Sequence, residues 1–149
     1  MEEGLRAEDI REAFETPKQD IRSYSPLALA FVGDAVYSLA VRTMILEQGN
    51  TRVEKLHSRV SSYARASYQS ALAAAIAEEL SEDELDIYRR GRNAKSHAAP
   101  KNATSGDYHR ATGLEALIGY LYLKGEEERI LELIKRGMEI LKEKEDGVQ

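Results

Sequence analysis

Residues 27 to 46 read LALAFVGDAVYSLAVRTMIL, the most apolar stretch of this 149-residue chain. Twenty residues can cross a bilayer, but Asp34 and Arg42 stand inside the run. A charged side chain near a bilayer midplane costs about 2.5–3.5 kcal/mol on insertion scales. A buried central helix is the better reading. Ser25 followed by Pro26 supplies an N-cap and a first-turn proline, and Gly49 offers the stop.

Outward from this helix the signals are equally local. Thr51 with Glu54, and Ser81 with Glu84, have capping-box spacing. They open segments from about Arg52 to Glu79, one helix or two because Ser61 and Ser62 weaken its middle, and from about Glu82 to Arg92. Ser105 or Gly106 precedes a segment running to Leu123. Gly125 separates it from Glu126–Lys144, where Ile130, Leu133, Ile134, Met138 and Leu141 recur at helical spacing. No alternating strand with hairpin turn chemistry appears. The expectation is an all-α fold in a single domain over residues 1–149, with its core at about 24–143. The polar stretch Asn93–Ser105, with Pro100 inside it, reads as a long loop.

Composition narrows the chemistry. The absence of cysteine excludes a disulfide scaffold, thiol catalysis and Cys-based metal sites. Met1 leads into Glu2, Glu3 and Arg6 rather than an apolar run, so no signal peptide is expected and the compartment should be cytoplasmic. A net charge of −5 argues at first against a nucleic-acid partner. Its distribution argues the other way. Arg89, Arg90, Arg92, Lys95, Lys101 and Arg110 face Asp107 alone between residues 89 and 110, and Arg42, Arg52, Lys55, Arg59 and Arg65 outnumber Glu47 and Glu54. The acids gather in residues 1–20 and in Glu78–Asp86. A basic face is compatible with such a chain.

Two carboxylates interrupt apolar helices: Asp34 in AFVGDAVYSL and Glu115 in ATGLEALIGYLYL. A lone ionised carboxylate in a core is costly, so each either finds a partner such as Arg42 or Arg110, or the two face one another. Gly33 beside Asp34, and Gly113 and Gly119 around Glu115, point to close helix approach, because glycine inside a helix costs about 1 kcal/mol relative to alanine. Ala30, Ala111 and Thr112 leave room nearby for a hydrated ion. Oxygen ligands without His or Cys suit Mg²⁺, with Mn²⁺ as a substitute.

The run Leu29-Ala30-Phe31-Val32-Gly33-Asp34-Ala35-Val36 resembles the signature helix of the ribonuclease III family, and Leu114-Glu115-Ala116-Leu117-Ile118-Gly119-Tyr120-Leu121-Tyr122-Leu123 resembles its second acidic helix. Two departures stand out. Ala30 and Thr112 occupy positions where typical members carry metal-site acids, and no space follows for the double-stranded-RNA-binding domain that typical bacterial members append. With the GRNAK stretch Gly91–Lys95 and the YHRATG stretch Tyr108–Gly113, these departures are similar to a bacterial subgroup that is a bare catalytic domain implicated in maturing large-subunit (23S) ribosomal RNA.

The resemblance implies a homodimeric, metal-dependent endoribonuclease that cuts both strands of double-stranded RNA and leaves 5′-phosphates. It implies that Asp34 and Glu115 hold the ion, with Thr112 offering a hydroxyl or water contact in its second shell. Arg92, Lys95, Lys101, His109 and Arg110 are the candidate RNA contacts. A precursor of 23S ribosomal RNA, a ribosomal protein or the assembling large subunit are the implied partners. Two alternatives are a non-catalytic RNA-binding relative, suggested by Ala30 and Thr112, and an all-α nucleotide pyrophosphohydrolase, suggested by the EExxE pattern at Glu78-Glu79-Leu80-Ser81-Glu82. Ser81 as a helix cap would put those carboxylates across a helix break. His57, His97 and His109 lack zinc-ligand spacing, and there is no P-loop, GxGxxG or GxSxG.

Overall fold

The structure is a computed structural model that describes residues 4–94 and 104–147. Helix α2 (Pro26–Glu47) begins as its sequence dictates: the Ser25 hydroxyl accepts the Ala28 N–H at 3.1 Å, with Pro26 in the first turn. It ends just before Gly49, whose φ of +153° lies in the region that favours glycine. Only one side of α2 is buried, through Leu29, Ala30, Gly33, Tyr37, Val41 and Ile45. Phe31 is 82% exposed and Leu39 58%. The expectation of a buried central helix is therefore corrected. That place belongs to α6 (Ser105–Leu123), where Glu115 alone between Ala111 and Leu121 is not fully buried.

Around α6 pack α2, α4 (Ala66–Ile76), α5 (Glu82–Arg92) and α7 (Glu127–Gly147). The N-cap of α6 is Thr104, whose hydroxyl accepts the Asp107 N–H at 3.1 Å, one residue ahead of the expected start. The capping box at Ser81 and Glu84 forms in full. Glu84 is gripped a second time by Arg129 of α7 through two 2.8 Å contacts, and Arg129 also donates to the Glu79 carbonyl. Glu78 and Glu79 lie in a short 3₁₀ turn (Ala77–Glu79) that ends before the Ser81 cap, so the EExxE carboxylates do straddle a helix break. Along α7, Ile130, Leu133, Ile134 and Gly137 are buried as the spacing predicts.

Two local expectations fail. The Thr51–Glu54 box is absent: α3 (Val53–Ala64) starts from Arg52 with no side-chain cap, leaving Thr51 outside. The break in the following segment falls at Arg65 and not at Ser61–Ser62, whose hydroxyls donate back to the His57 and Arg59 carbonyls inside an unbroken helix. Arg65 turns extended (ψ 150°), while the Tyr37 hydroxyl takes the Tyr63 carbonyl at 2.6 Å and the Gln69 amide takes the Ala64 carbonyl at 3.0 Å. Tertiary partners thus satisfy the end of α3. A short α1 (Ala7–Ala13), which the sequence reading did not anticipate, is tied on by the Tyr122 hydroxyl donating to the Leu5 carbonyl. Among the described residues there is no strand.

Candidate active site

The site is built by the crossing of α2 and α6. A Cβ placed on Gly33 would lie 1.7 Å from the Glu115 carbonyl oxygen, and one on Gly119 would lie 1.9 Å from that of Leu29. Backbone therefore meets backbone here, as the glycines led us to expect. A second glycine pair, Gly91 and Gly113, brings α5 equally close to α6: a Cβ on Gly91 would sit 2.9 Å from the Gly113 Cα.

This crossing brings the Asp34 and Glu115 carboxylates together. Asp34 is exposed, a correction to the view that both acids sit in the core, because it lies on the flank of α2 that turns away from α6. Glu115 is half-buried. Burial, reinforced by the hydrogen-bonding and charged Asp34 beside it, pushes the Glu115 carboxyl up to about 8, while the Gln69 amide pulls in the opposite direction. Neither acid has a basic partner among the described residues. Arg42 bonds Ser38 at 3.0 Å, and Arg110 bonds Ser70 at 2.6 Å and Asp107 at 3.2 Å. The reading of two satisfied core acids therefore fails.

Two uncompensated carboxylates beside solvent suit a hydrated divalent cation, which usually keeps several waters and is completed by substrate phosphates. No group of three or more His, Cys, Asp or Glu side chains among the described residues is placed to hold a metal, so the protein's share of such a site is this pair. Ala30 and Ala111 are buried beside it, and the buried Thr112 hydroxyl donates to the Tyr108 carbonyl at 2.9 Å, which leaves its oxygen lone pairs available.

The expected RNA contacts divide. Arg92 lies over the Tyr88 ring at 5.8 Å and bonds the Asn93 side chain at 3.2 Å. With Arg89 and Arg90 it forms a cluster on the last turn of α5 with no carboxylate partner among the described residues. Arg110 is engaged internally, pinning α6 to α4 through Ser70. His109 packs edge-on to Tyr108 with a buried Nδ1 that has no partner. Lys95 and Lys101, like most of the Asn93–Ser105 loop, lie outside the described residues. Sequence reasoning missed Gln69, a fully buried amide on α4 that reaches Glu115. Its only sequence signal is a polar residue on an apolar helix.

A family model described as the Ribonuclease III domain matches residues 27–126, which span both acidic helices. The Mini-ribonuclease 3 of Thermoanaerobacter sp. (strain X514) is 47% identical over 126 residues, covering 85% of this chain and 89% of that protein. That of Clostridium tetani is 44% identical and covers 81% of each, and that of Staphylococcus aureus is 37% identical over 83% of this chain. A crystal structure of a Fusobacterium nucleatum protein superposes with a TM-score of 0.73 at 38% identity, over 78% of this chain and 95% of that one. The all-α architecture, the paired acidic helices and these likenesses over most of the chain agree: it belongs to the ribonuclease III family, in its Mini-ribonuclease 3 group, as an endoribonuclease of ribonuclease III type.

Proposed function

We propose that this chain, acting as one catalytic domain, cleaves double-stranded RNA with Mg²⁺ held by Asp34 and Glu115. Mn²⁺ is a competent substitute, and the natural substrate is a precursor of 23S ribosomal RNA in the cytoplasm. The observation that carries the reading is the pair itself: two carboxylates pressed together at a backbone-to-backbone crossing with no basic residue to neutralise them. A bound divalent ion supplies Lewis-acid chemistry to the phosphodiester. The residues do the rest. Asp34 presents its carboxylate to solvent, where a phosphate can approach. Glu115 gives up its proton to join it, and Gly33 and Gly119 fix their spacing. Thr112 stands behind them with a hydroxyl for a second-shell water.

Arg92, with Lys95, Lys101, His109 and Arg110, is assigned to the phosphates of the duplex. A-form RNA hides its deep groove and exposes phosphates and 2′-hydroxyls, so such a surface reads shape. A homodimer is supported by α2, where Leu27, Phe31, Leu39 and Leu46 are all exposed within one helix. The assembling large subunit, or a ribosomal protein on it, is the further partner proposed.

The test is incubation of duplex RNA with the protein and Mg²⁺ beside an Asp34→Asn control. Cleavage to 5′-phosphate ends that the control lacks is expected, and binding without cutting would reject the reading. With only two carboxylates, Mg²⁺ should bind more tightly when RNA phosphates complete the coordination. A Mg²⁺ titration with and without an uncleavable duplex, returning the same affinity, would sink that part.

A further inference from the structure

Gln69 lies on the first half of α4, opposite the middle of α6, and is only 4% exposed. Its amide nitrogen donates to the Ala64 carbonyl at 3.0 Å, across the α3–α4 corner. That bond fixes which end of the amide is which, because a carbonyl facing a carbonyl would repel. The amide nitrogen carries two hydrogens. The second goes to the Glu115 carboxyl, where a donor favours the ionised form. The amide oxygen, at the far end of the same rigid plane, is buried with no partner.

A buried acceptor with no donor costs stability, so packing alone would favour an apolar side chain of the same length at this position. What an apolar side chain cannot do is donate to Glu115. The neighbouring residue repeats the logic one position on. Ser70 accepts Arg110 at 2.6 Å, so consecutive α4 residues grip α6 at two points, once through Arg110 and once through Glu115.

We infer that Gln69 is a positioning residue for the metal site: its amide, anchored on the Ala64 carbonyl, holds the Glu115 carboxylate in the orientation in which it shares a divalent cation with Asp34. This rests on the reading of Asp34 and Glu115 as the ion's ligands. Gln69 itself coordinates nothing. Its effect passes through Glu115, which without the amide hydrogen would be free to rotate and would face Asp34 with no donor of its own.

The test is a Mg²⁺ titration of the full chain without RNA, followed by NMR on the backbone amides of Asp34 and Glu115 and on the side-chain amide of Gln69. In the unsubstituted protein all three should shift with one shared affinity. A Gln69 side-chain amide that does not move would overturn the inference. Gln69→Met, which fills the same space without donor or acceptor, should weaken Mg²⁺ about tenfold while its thermal midpoint stays level or rises. A lower midpoint with unchanged Mg²⁺ affinity would mean a merely structural residue and would also overturn it. Should the Met variant fail to fold, the side-chain amide in the unsubstituted protein decides the matter. Asp34→Asn separates the two levels. If it leaves the affinity intact, the ligand assignment falls and the inference with it. If it abolishes binding while Gln69→Met changes nothing, only the inference falls.

Discussion

Glu115 carries a liability that its neighbours do not share. Its ordinary value near 4.5 is raised to about 8 in the folded chain. Between those limits the unfolded chain has lost the proton and the folded chain keeps it, so stability falls as pH rises through this window and is level again above it. Metal-free protein should therefore be more stable near pH 5 than near pH 8, by thermal or denaturant unfolding. Glu115→Gln should flatten that slope, and equal slopes in the two proteins would refute the assignment. A second residue, Glu15, sits at φ +54°, just past the end of α1. The Thr16 N–H returns to the Arg11 carbonyl there at 3.0 Å and that of Glu15 to Glu12 at 3.3 Å, the pattern of a helix closed by a left-handed residue. Glycine suits that position without a Cβ penalty, so Glu15→Gly should stabilise the chain by about 1 kcal/mol, read from its denaturation midpoint.

At the scale of elements, legibility followed locality. Ser25 and Ser81 announced their helices because a cap is satisfied by the residues beside it. The break at Arg65 could not be read, because the carbonyls that end α3 are taken by Tyr37 and Gln69 from other helices. Asp34 and Glu115 were legible as a pair through the glycines around them. Which of the two faced solvent was not, since burial depends on how α2 leans on α6. Nor could the sequence reveal that Arg110 is spent on Ser70. The joint between α5 and α7 was equally silent. There Arg129 holds the buried Glu84, keeping its carboxyl below the ordinary range, chiefly by direct hydrogen bonding. Arg129→Met strands that carboxylate and should cost about 3 kcal/mol in chemical denaturation. Loss of less than about 1 kcal/mol would mean that the clamp is ornamental.

For the whole molecule the open question is what covers α2. The same run that looked like a buried core strip leaves Phe31 almost bare, one turn from Asp34. A second copy seated there would place two acidic sites on one body, in keeping with cleavage of both strands of a duplex. Phe31→Asp should shift the chain from dimer to monomer in sedimentation while each protomer keeps its helical spectrum. A wild-type chain that sediments as a monomer at micromolar concentration would end the proposal of a homodimer.

The meeting of Gly33 and Gly119 also bears on how the site behaves in time. Most packed surfaces adjust by side chains hopping between rotamers, but a contact made of two backbones has none to exchange. The distance between the helices that carry Asp34 and Glu115 is therefore set by peptide geometry alone. Amide protons at that crossing should exchange with deuterated solvent only when the whole chain opens, in step with the slowest in the core. Substrate would then meet a stiff hinge-free anvil, and whatever flexing catalysis needs must come from the RNA.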